Sequence, residues 1–156
     1  MSSTAIPWEL PLGSFIASGP VILREGEHGQ EILLDREQKS EGVTPWMIPG
    51  GRVENLLEKM IPEQEKLRGT CIREVKEEVG IDIEIIRPLD TFVKVVESSD
   101  GSKRIAVLAH YLARQIGGEL KVGEGVVEYG WFPVSKLPEC MENVRWVLEY
   151  YLREKK

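Results

Sequence analysis

Arg73-Glu74-Val75-Lys76-Glu77-Glu78-Val79-Gly80-Ile81 packs three glutamates, an arginine and a closing glycine into nine residues. At about 100° per residue, Glu74, Glu77 and Glu78 fall within an arc of roughly 100°, and Ile72, Val75 and Val79 within roughly 60° on the other side. The spacing predicts a helix with an apolar face and a carboxylate cluster opposite it, ended by Gly80. Glu74 repels Glu77 at i,i+3 and Glu78 at i,i+4, each by about 0.2–0.5 kcal/mol. Bound divalent cations reverse that sign, because hard cations such as Mg²⁺ take oxygen ligands. On this segment alone a solvated acidic face, with Arg73 and Glu77 as an ion pair, explains the pattern equally well.

The residues upstream break the tie. In Trp46-Met47-Ile48-Pro49-Gly50-Gly51-Arg52-Val53-Glu54 a short apolar run ends in Pro and two adjacent glycines, where the chain turns and its backbone can approach a ligand closely. Together with the acidic helix this resembles the Nudix hydrolase signature: Gly, five residues, Glu, seven residues, then Arg-Glu-apolar-any-Glu-Glu-any-Gly-apolar. Glu65 lies eight positions before Arg73, and the stretch 65–81 fits throughout. The signature's first glycine would fall at Lys59, whereas the serviceable glycine is Gly51, so the chain carries about eight extra residues, 55–62, inside the signature.

The resemblance implies the Nudix α/β/α sandwich, with a mixed β-sheet between helices. It implies Mg²⁺-dependent hydrolysis of a pyrophosphate bond in a nucleoside diphosphate linked to another group, with Mn²⁺ as a substitute cation. By matching positions Glu74 and Glu78 become the principal metal ligands, with Glu77 as a further ligand and the Gly50 carbonyl as another. Arg73 would orient Glu74, with Glu65 as its own partner. The general base is Glu74, or else Glu124 or Glu128 from a late acidic loop. Arg36, Trp46 and Arg52 are candidate substrate contacts. Arg36 reaches either a phosphate or a surface carboxylate, and Trp46 either stacks on a base or packs in the core. ADP-ribose-like molecules and nucleoside triphosphates both remain as substrates. The alternative from another class is a non-catalytic Nudix-like module that senses a nucleotide or supports a protein partner. The full set Glu65, Arg73, Glu74, Glu77 and Glu78 favours the enzyme. Relatives are often dimers, so a homodimer is an open possibility.

Composition sets the outer limits. The chain has 156 residues, 42% hydrophobic and 29% charged, with net charge −6. That is enough for one domain with a real core, at residues 14–156 behind an N-terminal arm at 1–13. Net acidity argues against a nucleic-acid or anionic-membrane surface. Cys71 and Cys140 have no metal-ligand spacing and make no disulfide framework, which points to a reducing, cytoplasmic setting. Cys71 reads as a small core residue. No long apolar run suggests export or a membrane span.

Taken in order, residues 14–23 and 31–35 are β-prone runs forming a hairpin about the polar turn 24–30, with His28 in solvent. Within the insertion, Asn55 and Glu58 predict a short helical turn to Met60 before Pro62 opens the signature helix. Gly69 weakens that helix, and the small residues 69–71 suit close packing on a sheet. Strands are predicted at 81–86, 91–96 and 104–112, with a turn at 98–101 and another at Gly117-Gly118. His110 reads as a satisfied structural histidine. A loop at 119–128 leads to the Trp131 strand, and a final helix at 139–153 carries Val144, Val147, Leu148, Tyr151 and Leu152 as its apolar stripe.

Overall fold

A computed structural model describes residues 9–155. Eight strands and two helices follow in the order β1 (Phe15–Gly26), β2 (Gly29–Lys39), β3 (Gly42–Val43), β4 (Gly51–Arg52), α1 (Glu63–Val79), β5 (Ile81–Pro88), β6 (Phe92–Glu97), β7 (Lys103–Gly118), β8 (Val126–Pro133) and α2 (Glu142–Glu154). The strands make one sheet with the path β3-β2-β1-β7-β5, while β4 pairs with β1, β6 with β7 and β8 with β2. The pairing of β1 with β7 is parallel and the other ladders are antiparallel, so the sheet is mixed as expected. Most of the N-terminal arm lies outside the described residues. Among the described residues, no helix is long and apolar enough to cross a membrane.

The central strands are apolar at consecutive positions because both of their faces are covered. Val21, Ile32 and Leu34 point into a core closed by Val144, Val147, Leu148 and Tyr151 of α2. Their neighbours Ile22 and Leu33 point the other way, onto Cys71, Val75 and Val79 of α1. One helix therefore covers each face of the sheet, which is the layered sandwich the signature implied.

Several local expectations change. The polar turn shrinks to Glu27-His28, because Arg24 pairs with Glu31 across the ladder, Nε to Oε1 at 2.8 Å, and carries both strands further. The insertion forms a single turn, with the Glu58 N–H donating to the Asn55 carbonyl at 3.0 Å and Asn55 at φ 57. Two of its apolar residues find nothing to pack on: Leu57 is 94% exposed and Met60 86%. Without burial, a helix this short has no tertiary support. Lys66 of α1 gathers the insertion instead, its Nζ donating to the carbonyls of Asn55, Leu56 and Glu58. β7 runs through the predicted turn at Gly117-Gly118, and β8 begins inside the predicted late loop. The final helix starts three residues late because the backbone of Glu139 and Met141 is bonded to Trp46. Leu152 stays 37% exposed while the other four residues of its stripe are buried.

The face of α1 also turns out differently. Its buried residues are Thr70, Cys71, Val75, Glu78 and Val79, and Ile72 is 43% exposed. The carboxylates thus flank the buried stripe and do not oppose it, and Glu78 lies within the contact face. Gly69 is exposed with nothing near it, so close packing involves Thr70 and Cys71 alone.

Leu33 is wholly buried between β2 and α1. Leu33→Ala is expected to lower unfolding free energy by about 2–5 kcal/mol in urea titration, whereas Leu57→Ala in the insertion stays within about 0.5 kcal/mol of wild type.

Candidate active site

β1 and β2 pair only near their hairpin, from Leu23 and Ile32 to the turn, and diverge beyond it. The run Trp46 to Val53 fills the opening. On one side Asp35 and Met47 exchange backbone hydrogen bonds at 2.9 Å. On the other, Gly51 and Arg52 pair with Ser18 and Ala17, and the Val53 N–H donates to the Ile16 carbonyl at 2.8 Å. Neither Gly50 nor Gly51 has a positive φ; what each lacks is room. A Cβ on Gly50 would strike the Ser18 carbonyl and come within 2.8 Å of Gly19 Cα. One on Gly51 would stand 2.5 Å from the carboxyl carbon of Glu74. The glycines therefore let the turn lie between β1 and the C-terminal half of α1.

Facing that turn are acids from two elements. Asp35 and Glu37 alternate with Arg36 on β2 and share the face of Leu33, towards α1. Oxygens of Asp35, Glu37 and Glu78, all three buried, lie within 4.8 Å of one another. Glu78 Oε1 accepts the Gly50 N–H at 2.9 Å. Both oxygens of Asp35 and Oε2 of Glu37 have no hydrogen-bond partner. Lys39 Nζ sits 3.0 Å from Glu37 Oε1 as a partly exposed counter-charge. Burial, then the nearby Glu37 and Asp35 charges, pushes Glu78 up to about 10. Burial, then Glu37, pushes Asp35 up to about 8. Glu74 is also raised by burial, against the pull of Arg73. An all-oxygen donor set with orphaned buried oxygens is what a hard divalent cation requires, so these residues fit Mg²⁺.

Sequence reading missed Asp35 and Glu37. Asp35 looked like the polar end of a strand, and the available signal was the alternation Leu33, Asp35, Glu37 on one face of a strand that runs on to Lys39.

The remaining candidates are dispersed. Glu78 belongs to the acid cluster and Glu74 lies beside Gly51, while Glu77, exposed on the helix, is linked to Glu74 through Arg73, which touches Glu74 at 3.3 Å and Glu77 at 3.5 Å. Glu65 does not partner Arg73. It is bonded at 3.1 Å to Arg68, which lies one turn along and closer on the helix. The loop carrying Glu124 is docked on the end of α1, where the Gly123 N–H donates to the Glu78 carbonyl at 2.8 Å. Glu128 is elsewhere: it meets Arg36 at 3.0 Å on the α2 face of the sheet. Arg36 also donates to the Thr44 carbonyl at 3.0 Å and lies over Trp46, which packs edge-on against Phe132. Arg36, Trp46 and Glu128 thus form a structural group apart from the acids. Cys71 is fully buried in the α1 core with its thiol pushed up to about 12, unlike a catalytic thiolate.

Arg52 opens onto a cavity of about 450 Å³ beside the site. Glu37, Gly50 and Gly51 border it on the acidic side; Phe15, Phe92 and Met141 give it apolar walls; His110 and Asn143 add polar groups. The cavity and the carboxylates adjoin, so one ligand can occupy both.

Acids raised above their unfolded values bind protons preferentially in the native state. Their stabilising protonation is complete below about pH 4 and lost as pH rises through about 8 for Asp35 and about 10 for Glu78. In EDTA the melting temperature is expected to fall between pH 5 and pH 9 for this reason, and Mg²⁺ should lessen the fall by favouring the ionised acids. Calorimetry of wild type and Glu78→Gln checks it; an equal slope in the variant contradicts the assignment.

A family model described as the NUDIX domain matches residues 16–151. An ADP-ribose pyrophosphatase of Methanocaldococcus jannaschii is 27% identical over 139 residues, covering 87% of this chain and 75% of the relative. The crystal structure of a MutT NUDIX hydrolase from Burkholderia pseudomallei superposes with TM-score 0.68 at 28% identity, over 88% of this chain and 97% of the other. A NUDIX hydrolase from Nitrosomonas europaea shares the fold at TM-score 0.68 and 18% identity, over 92% and 91% of the two chains. The glycine turn, the acidic helix and the layered sheet come together despite the insertion, and the chain belongs to the NUDIX family and is a Nudix pyrophosphohydrolase.

Proposed function

We propose that the enzyme hydrolyses ADP-ribose, or a close nucleoside diphosphate sugar, in a reaction that depends on Mg²⁺. The observation that carries the reading is the cluster of Asp35, Glu37 and Glu78, continuous with a cavity large enough for a nucleoside. The archaeal relative supports ADP-ribose as the substrate class, since its similarity extends over most of both chains.

Glu78, Glu74, Glu37 and Asp35 would hold the cation, with Glu77 at the exposed edge. When bound, Mg²⁺ supplies positive charge that offsets the repulsion between a pyrophosphate and an incoming nucleophile. Glu74 then takes a proton from the attacking water, since burial raises its affinity for one. Arg73, 3.3 Å away, steadies Glu74 and holds its carboxylate in place. Water oxygen bonds to one phosphorus, the bond from that phosphorus to the bridging oxygen breaks, and the electron pair leaves on the second phosphate. AMP and ribose 5-phosphate are the products from ADP-ribose. Glu124, on the docked loop, is the second candidate for the base. The phosphate charges meet Arg52 and Lys39 at the cavity mouth, and the nucleoside occupies the apolar walls. Free Cys71 and Cys140 suit a cytoplasmic setting.

The test is product release from ADP-ribose, dinucleoside polyphosphates and nucleoside triphosphates, with Mg²⁺ and with EDTA. ADP-ribose turnover should disappear in EDTA, and Glu74→Gln and Glu78→Gln should each lower kcat by about 10²-fold or more. Hydrolysis confined to nucleoside triphosphates would overturn the substrate reading. Nucleotide binding without hydrolysis at any Mg²⁺ or Mn²⁺ concentration would instead favour a non-catalytic binding module.

A further inference from the structure

His110 is 3% exposed and hydrogen-bonded at both ring nitrogens. Nδ1 lies 2.9 Å from the Asp90 backbone carbonyl, an acceptor only, so Nδ1 must carry the proton. Burial lowers the histidine's affinity for a second proton and keeps the ring neutral. Nε2 is then a bare acceptor, and the side chain 3.0 Å away must offer it a donor. That side chain is the amide of Asn143 at the start of α2, so Nδ2 must be the atom turned towards the ring. The chemistry of Asp90 and His110 thus sets which way the amide faces.

A freely turning amide offers donor and acceptor in either order. It can pair with adenine, which presents an amino donor beside a ring acceptor, or, by flipping, with a 6-oxo purine, whose order is reversed. An amide that is held one way round can pair well with only one of them. Asn143 and His110 both line the cavity next to the acids, with Phe15 and Phe92 as aromatic walls. One N–H and the carbonyl oxygen of Asn143 remain for a ligand once Nε2 has taken the other N–H.

We infer that Asn143 is the base-reading residue of the cavity and that His110 is its positioning residue, holding the amide in a single order; because the proposed substrate carries adenine, that order is assigned to adenine and against a 6-oxo purine. This rests on the assignment of the nucleoside to the cavity, and its test is separable from turnover.

The probes are AMP and IMP, titrated in EDTA against wild type, Asn143→Leu and His110→Leu by calorimetry. AMP should bind wild type about tenfold more tightly than IMP, and both substitutions should bring the ratio close to one. A wild-type ratio near one, a preference for IMP, or a preference that survives either substitution overturns the inference. A histidine that merely supported the core would change the melting temperature and leave this ratio intact. Nitrogen-15 spectra of the unaltered protein give a second measurement should His110→Leu not fold. The Asn143 side-chain amide and His110 Nε2 should shift with AMP and remain still with ribose 5-phosphate; no shift with AMP overturns the inference. An AMP preference in a protein that leaves ADP-ribose intact would remove the proposed substrate and leave this inference standing. ADP-ribose turnover with no base preference would do the reverse.

Discussion

The hydrogen bond from the Gly50 N–H to Glu78 is where the chemistry and the fold meet. It ties the Pro-Gly-Gly turn, lodged where β1 and β2 diverge, to a helix that follows an insertion of about eight residues. The bond can form because Gly50 and Gly51 have no side chains to hold the turn away from Ser18 and Glu74. Divergence of β1 from β2 makes the space, the Pro-Gly-Gly run fills it, and α1 closes over it. The insertion leaves this arrangement intact, because it lies on the surface and is gathered by Lys66 at the far end of the helix.

Three buried carboxylates within 4.8 Å are a poor way to stabilise a protein. Ionised acids lose hydration on burial and repel one another, and the Asp35 carboxylate accepts no hydrogen bond that would offset either cost. Protons relieve the conflict at low pH, and a divalent cation relieves it near neutrality. The sequence around them is otherwise conservative: apolar residues precede Asp35 on β2, and Val75 and Val79 flank Glu78 in the α1 core. The local instability is therefore confined to the place where a cation and a charged substrate can compensate it.

The sheet divides the work between its faces. Towards α1 lie the acids; towards α2 lie the apolar cavity walls, His110 and Asn143. Glu37 and the glycine turn belong to both regions, since they border the cavity and face the acids. Arg36 stands between Asp35 and Glu37 in the chain but lies on the opposite face, where it bonds to Glu128. In a strand, one step along the chain is enough to move a charge from the catalytic side to the structural side.

The sequence by itself determined the signature helix with its Gly80 stop and the shared side of Glu74, Glu77 and Glu78, because helical pitch, adjacent glycines and apolar runs are properties of neighbouring residues. The sandwich and the roles open to those glutamates came with the resemblance that this motif carries. Tertiary structure decided which face of the helix is buried, leaving Ile72 in solvent and drawing Glu78 inward. It brought Asp35 and Glu37 to the site, separated Glu128 from it, and gave Glu65 to Arg68. It also placed Asn143 within reach of His110, 33 residues earlier in the chain. Each of these depends on how a strand and a helix distant in sequence are rotated against one another. That rotation is set by packing across the whole core, and no local pattern of residues encodes it.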